Sequence, residues 1–495
     1  MKRLIVTIAA CLALPVISAS RVEPAAETWF EIKSPNFTVW AHANDGATRT
    51  LVWQLEQIRN VAKNLWPWMK VDLPKPMVVI AVKGEGTLKA LAPRYWDVKG
   101  GVRPSSIWVS AADQHYIAIR SDLRSRDDVM VNPHTSAYFS YANLVLTSSF
   151  EGPLPMWLSR GLAGVISNTL VRQSDVIIGA TIPWHLEELR ELRLPLRRML
   201  ATTRESPEFR QENGQRYFDA QSWAFVHYLM FGEQGAHAPR LNAFVASIGR
   251  AQPVDAAFAE AIGSIDEFER AFTNYVNRSL YAAARVNVDM GLDRERFPAR
   301  TMTPAESAMS RASFHAAMGR PADARALIVE ATKADPAHPG ASVVTALLAD
   351  SERNTDAAKA AYARAVELGT TNAYALYRSA MMNWRGADAA TMEGLEKQLA
   401  KAIEINPLFA AAHAALAEMR ADLKRPQLSI VTPMQKAVSL DPTDPWHRLA
   451  AARILGRLNA ADEARKAAES ALKLAGDDAS ARAEAERILT MLKGR

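Results

Sequence analysis

The first part of the chain alternates between strand-like and helix-like patterns of apolar residues. Two short segments of alternating apolar and polar residues flank a Ser-Pro-Asn turn at residues 34–36, which predicts a β-hairpin. Apolar residues then recur at helical spacing over residues 51–65. The apolar run at residues 77–82 predicts a strand that is buried on both faces. The predicted strands are residues 29–33, 37–40, 77–82, 107–109 and 116–119.

From Pro133 onward the pattern is helical. The predicted helices are residues 135–146, 156–166, 195–200, 220–231, 241–248 and 265–276. Trp157 and Trp223 are interpreted as core residues, and His134 as an exposed side chain at a helix start. Residues 293–303 carry charges and a proline without any periodicity. We therefore assign residues 27–285 to one α+β domain and residues 286–302 to a linker.

The C-terminal third contains a repeat. Each copy has a small or aliphatic residue, a larger residue about four positions later, an alanine three positions after that, and then a helix stop. The final alanines of the copies are Ala331, Ala365, Ala402, Ala437 and Ala471, which lie 34, 37, 35 and 34 residues apart. A period near 34 residues is that of tetratricopeptide repeats, in which small residues let paired helices pack closely.

We assign residues 303–477 to about five such repeats and residues 478–495 to a capping helix, which together predict an all-α superhelical solenoid. A generic bundle of alanine-rich helices is the alternative, and the constant register of the copies argues against it. Pro433 would lie inside the second helix of its repeat if that helix had full length. Because proline is tolerated in the first turn of a helix but not in its interior, this helix is predicted to begin near Thr432.

Composition and charge narrow the classes of function. The chain has 495 residues and a formal net charge of +6, with the positive charges scattered rather than gathered into a basic stripe. This distribution argues against nucleic-acid binding. No stretch after the N-terminal segment approaches the roughly 20 apolar residues of a membrane-spanning helix.

The first twenty residues have the pattern of a secretory signal peptide. Lys2 and Arg3 precede an apolar run at residues 4–17, and residues 18–20 are small. The single cysteine, Cys11, lies inside this run in a loose likeness of a lipoprotein box. Because the apolar run continues to Ile17, cleavage is favoured over a lipid anchor. We predict a periplasmic or secreted protein without disulfides.

The α+β domain resembles the bacterial peptidase MA-like group of gluzincin metallopeptidases, over roughly residues 27–280. The resemblance is carried by Pro-Met-Trp-Leu-Ser-Arg-Gly-Leu-Ala at residues 155–163, where the family has Trp-Leu-x-Glu-Gly-Leu-Ala. Phe-Ser-Tyr-Ala-Asn at residues 139–143 stands where the family has His-Glu-Tyr-x-His. Gln-Ser-Trp-Ala at residues 221–224 is similar to a further family helix.

The resemblance implies a zinc site whose ligands are absent from this chain. The two histidine positions correspond to Phe139 and Asn143, the general base to Ser140, and the ligand glutamate to Arg160. Phenylalanine has no lone pair, and arginine places a cation where the metal would lie. The ten histidines include no pair four residues apart or closer. We therefore expect a pseudo-enzyme with no catalytic residues, no metal and no cofactor.

Two functions follow as hypotheses. In the first, an exported, non-catalytic scaffold binds a protein or peptide partner in the groove of the repeats. In the second, the chain is a hydrolase whose site is rebuilt from distant residues. No nucleophile elbow, phosphate loop or dinucleotide fingerprint occurs in the sequence to support the second.

Overall fold

The computed structural model describes residues 28–493 except 43–44, 98–102, 125–129, 151, 153, 173–174, 212, 251, 279 and 288–291. The predicted signal segment at residues 1–20 lies outside the described residues. The strands are β1 (Phe30–Lys33), β2 (Thr38–His42), β3 (Met77–Val82), β4 (Ser106–Ser110), β5 (His115–Arg120), β6 (Leu170–Val171), β7 (Asp175–Ile178), β8 (Ala284–Asn287) and β9 (Ala299–Thr301).

The helices of the N-terminal region are α1 (Asp45–Leu65), α2 (Glu85–Leu91), α3 (Thr135–Ser149), α4 (Met156–Ser167), α5 (Pro183–Glu191), α6 (Leu196–Leu200), α7 (Pro207–Arg210), α8 (Gly214–Phe231), α9 (Ala238–Gly249), α10 (Val254–Ala261) and α11 (Ile265–Val276). Those of the C-terminal region are α12 (Pro304–Ala317), α13 (Pro321–Ala334), α14 (Pro339–Ser351), α15 (Thr355–Glu367), α16 (Ala373–Trp384), α17 (Ala389–Ile405), α18 (Ala410–Asp422), α19 (Gln427–Leu440), α20 (Pro445–Arg457), α21 (Ala461–Leu474) and α22 (Ala479–Lys493).

A mixed sheet of six strands organises the N-terminal region. Its order is β4-β5-β3-β2-β1-β9, with β2, β3 and β5 parallel and the other pairs antiparallel. The predicted hairpin is confirmed, since β1 and β2 pair with Phe30 opposite Ala41. The short strands β6, β7 and β8 form a second, antiparallel sheet. The fold is therefore an α+β region followed by an all-α region.

The central strand β3 is buried on both faces, as the sequence predicts. Val79 belongs to the larger core, in which α1 and α3 pack against one face of the sheet, α4 packs against α3, and α8 packs against α4. Ile80 belongs to a second core on the opposite face, together with Phe314 and Met318 from the first hairpin of the C-terminal region. The solenoid therefore covers a face of the sheet that would otherwise be exposed to water.

The segment interpreted as a linker, residues 286–302, is built into the fold. It completes β8 and supplies β9, and β9 pairs with β1 so that Ala299 lies opposite Ile32. All three side chains of β9 are exposed, so its pairing depends on backbone hydrogen bonds and leaves no apolar pattern to detect. The linker interpretation is corrected for this reason.

Pro433 does not begin a helix. It lies inside α19, which starts six residues earlier at Gln427. Proline cannot donate the hydrogen bond that the carbonyl of Ser429 would accept. The guanidinium of Arg420 donates to that carbonyl at 3.0 Å instead, which offsets the lost bond and lets the helix continue.

His134, interpreted as an exposed side chain, is buried, and so is Glu188. His134 is only 9% exposed, and burial lowers its pKa to about 4. Glu188 on α5 is also buried, and its carboxylate accepts a hydrogen bond from Arg216 at 2.8 Å and lies 3.1 Å from a ring nitrogen of His185. Trp157 and Trp223 are core residues, as predicted.

Candidate functional site

The four residues that the resemblance aligns with the metal motif lie on two neighbouring helices. Phe139, Ser140 and Asn143 lie on α3, which packs against α4, the helix that carries Arg160. The Arg160 guanidinium lies over the Phe139 ring, with 5.0 Å from its carbon to the ring centroid. The Ser140 hydroxyl donates to the carbonyl of Ser136 at 2.9 Å, within its own helix. The structure thus brings Phe139 and Arg160 together and gives Ser140 a local role.

A carboxylate from a third helix completes this cluster. Arg160 donates from Nε and Nη2 to the two carboxylate oxygens of Asp219 on α8, and both side chains are about four-fifths buried. This two-point pairing fixes the plane of the guanidinium. Glu151, the other carboxylate near α4 in the sequence, lies outside the described residues. Asp219 was missed because nothing in the spacing of α4 and α8 shows that they meet.

These side chains do not fit a zinc ion. Phenylalanine offers no donor atom, and the Arg160 guanidinium lies over the Phe139 ring and pairs with the Asp219 carboxylate. A cation in this position repels a metal ion. Among the described residues, a group of three close acidic or histidine side chains occurs elsewhere, at Asp441, Asp444 and His447 in the turn between α19 and α20. The cluster of Phe139, Arg160 and Asp219 therefore gives no support for metal chemistry.

A larger site lies between the sheet and the solenoid. A cleft of about 640 Å³ has one wall made by β1, β2 and β3 and the other by α12, α14, α16 and the start of α18. This volume falls within the range of roughly 300–1,000 Å³ typical of ligand sites. We call it the interdomain cleft. The spacing of the repeats did not indicate it, because its two walls are more than two hundred residues apart in the chain.

Aromatic side chains line the solenoid wall. Tyr374 and Tyr377 on α16 and Phe409, just before α18, are partly exposed and contact one another. The Tyr377 and Phe409 ring centroids are 5.0 Å apart, and the Tyr374 ring stacks on Phe409 at 6.3 Å. We call these three residues the aromatic patch. Trp40 of β2 lies on the opposite wall and contacts Tyr116.

Two asparagines of the solenoid hold the base of the interdomain cleft. Asn372 caps α16 by accepting from the Ala375 amide and donates to Asp113 at 2.8 Å. Asn406 donates to the carbonyl of Pro74 at 2.8 Å. Burial raises the pKa of the Asp113 carboxyl, and the hydrogen bond from Asn372 opposes that shift. These contacts fix the β4–β5 turn and the segment before β3 against the starts of α16 and α18.

The C-terminal helices form five antiparallel hairpins followed by α22. The predicted small residues lie at their seams, and Ala365, Ala402 and Ala471 are completely buried. This region is a tetratricopeptide-type solenoid. Among the residues that the structure describes, no helix combines the length and the apolar character needed to cross a lipid bilayer.

Comparisons with known proteins find partial likenesses. No protein-family model matches the chain. A segment of 165 residues is 30% identical to cellulose synthase operon protein C of Pseudomonas fluorescens, covering 31% of this chain and only 12% of that protein. The crystal structure of YrrB matches 37% of this chain and 92% of the YrrB chain, with 14% identity and a TM-score of 0.31. YrrB is described as a TPR protein with an unusual peptide-binding site. A thermophilic TPR protein of Thermus thermophilus matches 38% of this chain and 99% of its own, with 20% identity and a TM-score of 0.28.

Proposed function

We propose that this protein is an exported, non-catalytic scaffold that binds an extended polypeptide segment of a partner protein in the concave groove of its solenoid. The observation that carries the proposal is the aromatic patch, which leaves three large side chains partly exposed at the groove. Tyrosine and phenylalanine are enriched in protein interfaces, and tyrosine is among the residues that supply most of the binding energy. The predicted signal peptide supports a periplasmic or secreted location.

Point variants of the whole chain test this proposal. We expect the Tyr374→Ala, Tyr377→Ala double variant to recover at least about tenfold less of its partner in affinity capture from the cell envelope, because truncated aromatic anchors cost more than about 1.4 kcal/mol. The matched control is Trp184→Ala, since Trp184 is 41% exposed on α5 of the α+β region and does not line the interdomain cleft. Equal recovery by the double variant and the control would contradict the proposal.

The non-catalytic part of the proposal rests on the Arg160 cluster. In it, a cation paired with Asp219 replaces the ligand glutamate that the gluzincin resemblance implies. A hydrolase with an atypical site is the alternative function, and it requires a set of groups outside this cluster. We expect protein purified without chelators to contain no stoichiometric zinc. One zinc per chain by elemental analysis would favour the hydrolase.

A gain-of-metal variant tests the inherited geometry separately. Phe139→His, Ser140→Glu, Asn143→His and Arg160→Glu together are expected to create measurable zinc affinity, because two ligands on one helix and a facing carboxylate are all required. Asp219→Asn accompanies them, since Arg160→Glu would otherwise place two carboxylates side by side. Arg160→Glu with Asp219→Asn alone is the control and should not bind zinc. Absence of binding in the full set would count against the gluzincin resemblance.

A further inference from the structure

The interdomain cleft has walls from both parts of the chain, and each wall presents an aromatic side chain. Trp40 comes from β2, and Tyr377 comes from α16. The lining residues of the sheet wall lie between Glu31 and Gln114, and those of the solenoid wall lie between Arg300 and Ala411. A ligand seated between them would contact the α+β region as well as the solenoid.

Apolar and uncharged polar side chains share the rest of the cleft surface. Val78 on the sheet and Met302, Met309, Val343 and Val344 on or beside the solenoid line the space between the aromatic residues. Methionine and valine side chains pack against other apolar side chains. Thr38, Gln114 and Ser310 line the cleft beside them, and this mixture suits a polypeptide segment, which carries apolar side chains on a polar backbone.

The charges of the cleft balance one another. Six charged side chains line it, and three are acidic and three basic: Glu31, Asp113, Glu306, Lys33, Lys75 and Arg300. Arg300 pairs with Glu31 at 3.0 Å and with Glu306 at 2.8 Å. The ammonium group of Lys75 donates to the carbonyl of Ala111 at 2.9 Å and lies near Asp113. The cleft therefore presents no net field that would draw a strongly acidic or strongly basic ligand.

One acceptor at the base of the cleft is unsatisfied. Oδ2 of Asp113 accepts from Asn372, while Oδ1 is buried and has no hydrogen-bond partner of normal geometry, although the amides of Asp113 and Gln114 lie near the carboxylate. Asp113 is only 8% exposed. A buried oxygen of this kind is satisfied most directly by an N–H donor. An extended peptide carries such donors along its backbone.

We infer that the interdomain cleft binds a short, extended peptide segment of no net charge that carries apolar or aromatic side chains, and that Trp40 and the aromatic patch grip it from opposite sides. This inference rests on the proposed function and adds the α+β region as the second half of the binding site. The α+β region then contributes a binding surface at the interdomain cleft, and this role does not depend on the cluster of Phe139, Arg160 and Asp219.

The test uses the mature full-length protein and fluorescent synthetic peptide pools. One pool carries Leu, Met, Phe and Tyr in a Gly-Ser-Asn background, a second carries Asp and Glu, and a third carries Lys and Arg. We expect the first pool to bind, and Trp40→Ala and Tyr377→Ala each to weaken its binding by at least about tenfold in fluorescence anisotropy. Trp108→Ala is the control, because Trp108 is 42% exposed on β4 and does not line the cleft. Trp40→Leu keeps a hydrocarbon side chain against Tyr116 and serves as a second variant, with unfolding midpoints measured for all.

The outcomes separate this inference from the proposed function. If Tyr377→Ala weakens binding and Trp40→Ala and Trp40→Leu do not, the composite site is overturned while the solenoid groove remains the binding surface. Preference for the acidic or basic pool, or competition by a soluble glucan oligosaccharide, would overturn the assigned ligand chemistry. Loss of partner capture in the Tyr374→Ala, Tyr377→Ala variant without any peptide binding would overturn this inference and leave the proposed function standing.

Discussion

Lowering the pH from about 7 to about 4.5 is expected to destabilise the folded protein by about 2 kcal/mol for each of four buried histidines. Burial lowers the pKa of His115, His134, His227 and His315 to about 4. The unfolded chain binds a proton at each of these residues near pH 6.5. The stabilisation is therefore fully present above about pH 6.5 and is lost as the pH falls toward 4.

His227 shows why the neutral ring is favoured. It is completely buried, with Nδ1 2.7 Å from the Tyr275 hydroxyl and Nε2 2.8 Å from the carbonyl of Gly179. The neutral ring can donate to Gly179 and accept from Tyr275, whereas the charged ring gains no carboxylate partner there. Urea unfolding of His227→Asn across this pH range should show a smaller loss of stability than the native chain. An unchanged pH dependence would contradict the assigned burial.

Gly161→Ala is expected to destabilise the protein by about 2–3 kcal/mol. Gly161 lies on α4 where that helix crosses α8, and a Cβ atom there would lie 2.5 Å from the carbonyl oxygen of Ser222 and 2.5 Å from Cγ2 of Val226. The carbonyl belongs to a buried helix and cannot move aside, so the helices must separate and lose packing. Urea unfolding should show a lower midpoint with little change in slope.

The matched control is Gly394→Ala. Gly394 is exposed inside α17, and no atom lies within 4 Å of an added Cβ. Alanine is the better helix former by about 0.8–1.0 kcal/mol, so this variant should be slightly more stable than the native chain. If both glycine variants shift the midpoint in the same direction, close helix packing at Gly161 is wrong.

Local periodicity explains what could be predicted from the sequence. The strands β3 and β5 were visible because each is a continuous apolar run that is buried on both faces. The solenoid was visible because its seam alanines recur at nearly constant spacing. By contrast, β9 has only exposed side chains, and α19 continues through Pro433 because of a distant arginine. Neither effect leaves a local pattern.

The candidate sites depended even more on distant contacts. The match at residues 157–163 includes Trp157 and Gly161, whose packing against other helices explains them without any metal chemistry. The sequence showed that Arg160 places a cation where the resemblance implies a zinc ligand. Its partner Asp219 could not be predicted, because it lies 59 residues away in the chain. Trp40 and Tyr377 line the same cleft only because the solenoid docks on the sheet through α12. Sequence spacing carries no information of that kind.

The pairing of β9 with β1 has a consequence for dividing the chain into fragments. A fragment that ends near residue 290 would lack β9 and present the edge of β1 to other molecules, which favours aggregation. A fragment that begins at residue 303 would expose Phe314 and Met318, which share a core with Tyr116 and Ile80. The sheet and the first hairpin thus belong to one cooperative unit, and tolerated breakpoints lie at hairpin boundaries further along the solenoid.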